Sequence, residues 1–196
     1  MLPSCIVLFL VGMKSEHQQN STQQHASHLV TLLWGTSSCA LAFFLASFQV
    51  HEKSILLALA PATLLAWDDN IFCDWFAVVA AWTMWPLLVV DRLQVAYTCN
   101  VIIFVVLVLQ ARPTNRAEHN ILPWIDWCWK LLCKLSYAAM IVLHALEMVI
   151  EVPPNLPDLF PVLWSVGGCA LCCLAWAKTN VSLVAFYAGE GKQKAE

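Results

Sequence analysis

An all-α membrane protein that crosses a bilayer several times is the fold class this sequence predicts, and three observations predict it. Of the residues, 60% are hydrophobic and 12% charged, with a mean hydropathy of +0.69. A soluble domain is apolar over only about half its residues. The apolar residues fall in six runs, at 29–49, 54–67, 71–90, 95–110, 128–150 and 159–178. Charged, Pro and Asn residues collect in the breaks between the runs, which keeps costly groups out of hydrocarbon. The expectation is one transmembrane region over 1–196, with about six spans and an N-terminal stub.

The elements follow in chain order. Residues 1–13 are apolar, but Met1-Leu2-Pro3-Ser4 lacks a cationic start and no small-x-small cleavage site precedes Lys14. They read as the end of another span rather than as a signal peptide. The Gln-, Ser- and His-rich stretch 14–28 reads as a loop. The run 29–49, with Leu32, Leu33, Trp34, Leu41, Phe43, Phe44 and Phe48, meets the roughly 20 residues that a hydrocarbon core requires. The runs 54–67 and 95–110 are shorter, so a tilted span, a break at Pro61 or a re-entrant segment is open for them. The runs 71–90, 128–150 and 159–178 are full length, and 179–196 reads as a cytosolic tail.

His51, Glu52 and Lys53 stand in a row between the first two runs. Three ionisable residues there sit at a membrane face, just before Ser54 opens another apolar helix. Unpaired N–H groups at a helix start attract anions, and His51 and Lys53 would add positive charge, so a lipid-linked phosphate is the natural ligand. The alternative is that His51 and Lys53 reach to the headgroups while Glu52 and Ser54 cap the helix. Spacing leaves both open.

The nine cysteines lie in or beside apolar runs and read as small buried residues. Cys169, Cys172 and Cys173 have a zinc-like spacing, but no second ligand pair completes a tetrahedral site, so no metal is expected. Ten tryptophans concentrate toward run ends, where an aromatic interfacial belt explains most of them; Trp85 is a candidate for stacking on a sugar. His144, Glu147 and Glu151 share one helical face. They form either a polar cavity or a self-satisfied His-Glu pair. Asp68, Asp69 and Asp74 read as helix-end or interfacial carboxylates.

The stretch Phe43-Phe44-Leu45-Ala46-Ser47-Phe48-Gln49-Val50-His51-Glu52-Lys53-Ser54-Ile55-Leu56-Leu57 resembles a signature of the endoplasmic-reticulum alpha-1,3-glucosyltransferases that use dolichyl-phosphate glucose. Leu2-Pro3-Ser4-Cys5-Ile6 and Pro153-Pro154-Asn155-Leu156-Pro157-Asp158-Leu159-Phe160 resemble the same family, in the same order. The Phe-Gln-Val-His-Glu-Lys-Ser wording is more similar to the enzyme adding the first glucose than to its sister adding the second. The resemblance implies the C-terminal part of a GT-C glycosyltransferase, in the endoplasmic-reticulum membrane with its active face lumenal. It implies transfer of glucose from dolichyl-phosphate glucose to dolichyl-diphosphate-linked Man9GlcNAc2, with inversion and without metal or other cofactor. His51 and Lys53 would steady the departing lipid phosphate, with Glu52 orienting either neighbour.

Such a displacement also needs a carboxylate base. In the family that carboxylate lies in a lumenal loop near the N-terminus of much longer proteins, so these 196 residues alone are expected to be inactive and the chain to be truncated. With the triplet lumenal, Lys14, Arg112, Arg116, Lys130, Lys134, Lys178, Lys192 and Lys194 fall on the cytosolic side, against Lys53 and Arg92 opposite. The positive-inside rule favours that orientation, with a cytosolic C-terminus whose lysines resemble a dilysine retrieval signal. The partners expected are the two lipid-linked sugars and the bilayer, and no nucleic acid. A polytopic transporter using His51, Lys53, His144 and Glu147, or a non-catalytic membrane scaffold, stands as the alternative.

Overall fold

A computed structural model describes residues 22–47, 52–111, 123–150 and 156–193. These residues are helical, joined by turns, and among them no strand occurs. The chain divides into two compact units, one made of 1–80 with 169–196 and the other of 81–168.

Helix α1 runs Thr22–Ala46. Its hydroxyl residues are accommodated locally, as where Thr36 Oγ1 donates to the Leu32 carbonyl at 2.9 Å. Trp34, Ser37, Ser38 and Leu41 are buried on it. A one-turn 3₁₀ helix, Glu52–Ser54, leads directly into α2, Ile55–Thr63. Ile55, Ala58 and Ala62 recur at i, i+3 and i+7, are fully buried, and let α2 lie close against α1. Small residues at such a seam allow close backbone approach in membrane helices.

Nine residues of helix rise about 14 Å, half of a hydrocarbon core, so α2 by itself does not make the span expected over 54–67. Pro61 sits in its last turn, and the chain continues through turns in which the Leu65 N–H bonds the Ala62 carbonyl and the Asp68 N–H that of Leu65. The run 71–90 also differs from expectation, because it forms two helices, α3 (Asn70–Thr83) and α4 (Trp85–Val90). Pro86 lies in the first turn of α4 and has no N–H to continue the ladder through Met84.

A tight reversal at Asp91–Leu93 joins α4 to α5, Gln94–Ala111. There Arg92 takes φ 57 and the Leu93 N–H reaches back to the Leu88 carbonyl at 2.8 Å. Helix α6, Pro123–Val149, opens on proline and carries Asp126 in its first turn, bonded to Lys130 at 2.8 Å. It therefore starts ahead of the expected 128. Helix α7, Leu159–Gln193, begins where the sequence predicts but runs on well past 178, through much of the segment read as a tail.

Among the described residues, three segments are long and apolar enough to cross a membrane: His28–Ala46, Trp124–Val149 and Leu159–Phe186. Asn70–Thr83 and Gln94–Val108 are apolar but shorter.

In the first unit Phe72, Trp75, Phe76 and Val79 form the fully buried face of α3. Phe72 meets Trp34 at 5.1 Å between ring centroids and stacks on Phe76 at 5.7 Å. In the second unit Trp82 and Trp164 pack at 4.2 Å. Gly167 makes this possible, since a Cβ there would lie 3.1 Å from the Trp82 ring.

Candidate functional site

The signature turn is partly described. His51 lies outside the described residues, and the side chain of Glu52 is likewise outside them. Lys53 is exposed and Ser54 half-buried, at the mouth of the buried α1–α2 seam. The expected Ser54 cap is not formed: its φ −70 and ψ −12 are helical and its side chain makes no capping hydrogen bond. The helical turn begins at Glu52 instead, so the unpaired N–H groups of the helix start lie ahead of Ser54 in the chain. A positive helix end beside an exposed ammonium is an arrangement that receives a phosphate.

The carboxylates after α2 are structural. Asp69 Oδ1 accepts the Phe72 N–H at 2.9 Å and so caps α3, while its Oδ2 pairs with Lys178 Nζ of α7 at 2.9 Å. Asp68 Oδ2 accepts the Trp34 indole N–H of α1, also at 2.9 Å. Cys73 Sγ reaches the Ala62 carbonyl at 2.8 Å. The reading of Asp69 as a helix-end carboxylate agrees with this geometry; its partner Lys178, far along the chain, carried no local signal.

In the second unit His144 and Glu147 do share a face, one turn apart on α6. Glu151 lies outside the described residues. They do not bond each other in a self-satisfied pair. Glu147 Oε2 accepts the Trp85 indole N–H at 2.9 Å and that of Trp164 at 3.2 Å. The His144 ring stands edge-on to Trp85 and Trp164, at 4.6 and 4.8 Å, with Tyr97 at 6.0 Å. Glu147 lines a cleft of 510 Å³, shared with Trp85, Gln94, Val95, Thr98 and Met148.

The tryptophans depart from the belt reading. Trp67, Trp124 and Trp127 are exposed near helix ends, as a belt requires, but Trp34, Trp75, Trp82, Trp85, Trp129 and Trp164 are buried. Trp85 is 8% exposed and its ring is taken up by Tyr97 and His144, which leaves little of its face for a sugar.

Comparison with known proteins brings these residues into one frame. Residues 1–179 match the model of the ALG6, ALG8 glycosyltransferase family. The proteins named dolichyl pyrophosphate Man9GlcNAc2 alpha-1,3-glucosyltransferase from Mus musculus and Gallus gallus are 36% and 34% identical, over 152 and 149 residues. Each match covers 67% of this chain and 29% of the relative. The protein of that name from Saccharomyces cerevisiae is 31% identical over 158 residues, 68% of this chain and 28% of its own length. The chain spans less than a third of the length of these curated relatives.

Proposed function

The chain belongs to the ALG6, ALG8 glycosyltransferase family, and on that premise we propose that it forms the donor-phosphate part of an endoplasmic-reticulum alpha-1,3-glucosyltransferase. The reaction is transfer of glucose from dolichyl-phosphate glucose to lipid-linked Man9GlcNAc2. The observation that carries this reading is the turn Glu52–Ser54, where an exposed Lys53 stands at the start of a helix with one buried face, inside the family match.

His51 and Lys53 bind the lipid phosphate and stabilise the charge it gathers as the glycosidic bond breaks, and Glu52 orients them. The carboxylate that accepts the acceptor hydroxyl's proton comes from outside these 196 residues. The turn faces the lumen and the C-terminus the cytosol.

Six crossings are proposed, two of them assembled from shorter helices. The Trp34–Asp68 bond supports the first such crossing. Trp34 stands twelve residues before the end of α1, so the chain that leaves the turn at Ser54 travels back about 18 Å along α1 by Asp68, more than half of a hydrocarbon core. The second is α3 followed by α4, together the length of a span.

The test is donor binding by the chain reconstituted in lipid nanodiscs, followed by titration with short-chain dolichyl-phosphate glucose. Lys53→Ala and His51→Ala are each expected to weaken binding about tenfold. Affinity unchanged in both variants would overturn the assignment.

A further inference from the structure

The cleft of the second unit is not absorbed by the signature turn, and its chemistry is unusual for apolar helices. Glu147 is held by two neutral indole N–H groups, and among the described residues it forms no ion pair. It stands two residues before the end of α6, whose last turn contains no basic residue. The negative end of that helix therefore adds to the carboxylate charge instead of offsetting it. A charge left this way between membrane helices calls for a cation, and the cleft that Glu147 lines gives one access to it.

The opposite wall supplies the complementary end. Gln94 is the first residue of α5, an 18-residue helix, and it lines the same cleft as Glu147. The first N–H groups of α5 have no acceptor within the helix, and they sit beside the Gln94 amide. Thr98 Oγ1, which also lines the cleft, donates to the Gln94 carbonyl at 2.9 Å and keeps its lone pairs for a donor. One wall is thus negative and the other is the positive end of a helix. The border is apolar where Val95 and Met148 line it, and Val90 and Val149, next in sequence to the lining residues Val89 and Met148, are likewise 77–80% exposed. A sugar site would be bordered by polar groups, whereas this border suits acyl chains.

We propose that this cleft binds one phosphatidylethanolamine molecule, its ammonium group on Glu147 and its phosphodiester at the amino end of α5. The primary ammonium donates to the carboxylate oxygens, and the acyl chains leave over Val95 and Met148. The site is independent of the signature turn and of the glucosyl-transfer reading.

Native mass spectrometry of the detergent-purified chain with equal doses of phosphatidylethanolamine, phosphatidylcholine and phosphatidylglycerol tests this. Retention of the ethanolamine lipid about tenfold over the other two is expected, with Glu147→Gln erasing the preference. Val95→Trp should erase it too. Val95 is 77% exposed, so an indole there covers the cleft without overpacking the fold, and helical content by circular dichroism checks both variants. A preference that survives both substitutions overturns the proposal. Equal retention of the choline lipid overturns it as well, because choline has no N–H to donate. So does displacement of bound lipid by free oligomannose, which would make the cleft a sugar site.

Discussion

Asp68 in the first unit and Glu147 in the second each accept an indole N–H at 2.9 Å, yet the charge around them is handled differently. Next to Asp68, Asp69 is paired with Lys178 and caps α3, so that the chain itself provides the countercharge. Around Glu147 the chain provides rings and a helix end of the same sign. Depth of burial does not separate the two, since both bonds to indole are part-buried. The difference lies in who supplies the cation. Asp69, closed by its own lysine, holds helices together with Asp68 beside that pair, whereas Glu147 forms no ion pair among the described residues and lines a cleft open to a ligand.

The largest expected effect tests the closed arrangement. Asp69→Ala removes the ion pair to Lys178 and the cap of α3 in one step. The two side chains are 22% and 21% exposed, so solvent replaces the lost contact only in part. Breaking such a pair and a cap together costs about 3 kcal/mol. Thermal unfolding in detergent measures it, and a loss below about 1 kcal/mol would put Asp69 in the same class as Glu147.

The second unit is probed at its two adjacent glycines. Alanine at either position gains about 1 kcal/mol of helix propensity. At Gly167 the new methyl meets the Trp82 ring at 3.1 Å, and Trp82 is 3% exposed and held by Trp164. That ring has no room to yield, so overpacking outweighs the gain and Gly167→Ala is expected to lose about 1 kcal/mol net. At Gly168 the contact, also 3.1 Å, is with one methyl of half-buried Thr83 and not with a buried aromatic ring. Gly168→Ala is expected to melt close to the parent. Equal melting temperatures for the two variants would mean that the aromatic cluster is loose, and a loose cluster would not fix Glu147.

Arg92, at the reversal leading to Gln94, adopts φ 57 and carries a bulky exposed side chain. An L-residue there costs roughly 1 kcal/mol that glycine does not. Arg92→Gly is expected to raise stability by about that amount in the same melting assay. A lower melting temperature would show that the arginine makes a compensating contact.

These contrasts also mark what a single sequence makes legible. The helical class, the apolar runs and the signature His51-Glu52-Lys53-Ser54 were open to reading because they are local patterns. The start of α7 at Leu159 was as well, since Pro153, Pro154 and Pro157 exclude helix before it. The split at Pro86 was in principle visible, but a run apolar over most of its length outweighed one proline. The partners of Asp69 and Glu147 were not visible, because Lys178 and Trp85 are brought to them from distant segments by packing. The tryptophans were misread for the same reason: hydropathy places an indole near a helix end but does not say whether it turns toward lipid or toward another helix.

The smallest stability effect carries the most information about function. Lys53 is exposed at the start of α2, and truncating it removes no buried contact; Ile55, two residues on, is what anchors the turn. Lys53→Ala is therefore expected to leave the melting temperature within the range of about 0.5 kcal/mol that exposed substitutions occupy. If stability holds while affinity for dolichyl-phosphate glucose drops about tenfold, the ammonium acts on the phosphate and not on the fold. A Lys53→Arg variant separates charge from shape. Binding kept by arginine means that positive charge suffices at the turn, and binding lost means that the compact ammonium is required there.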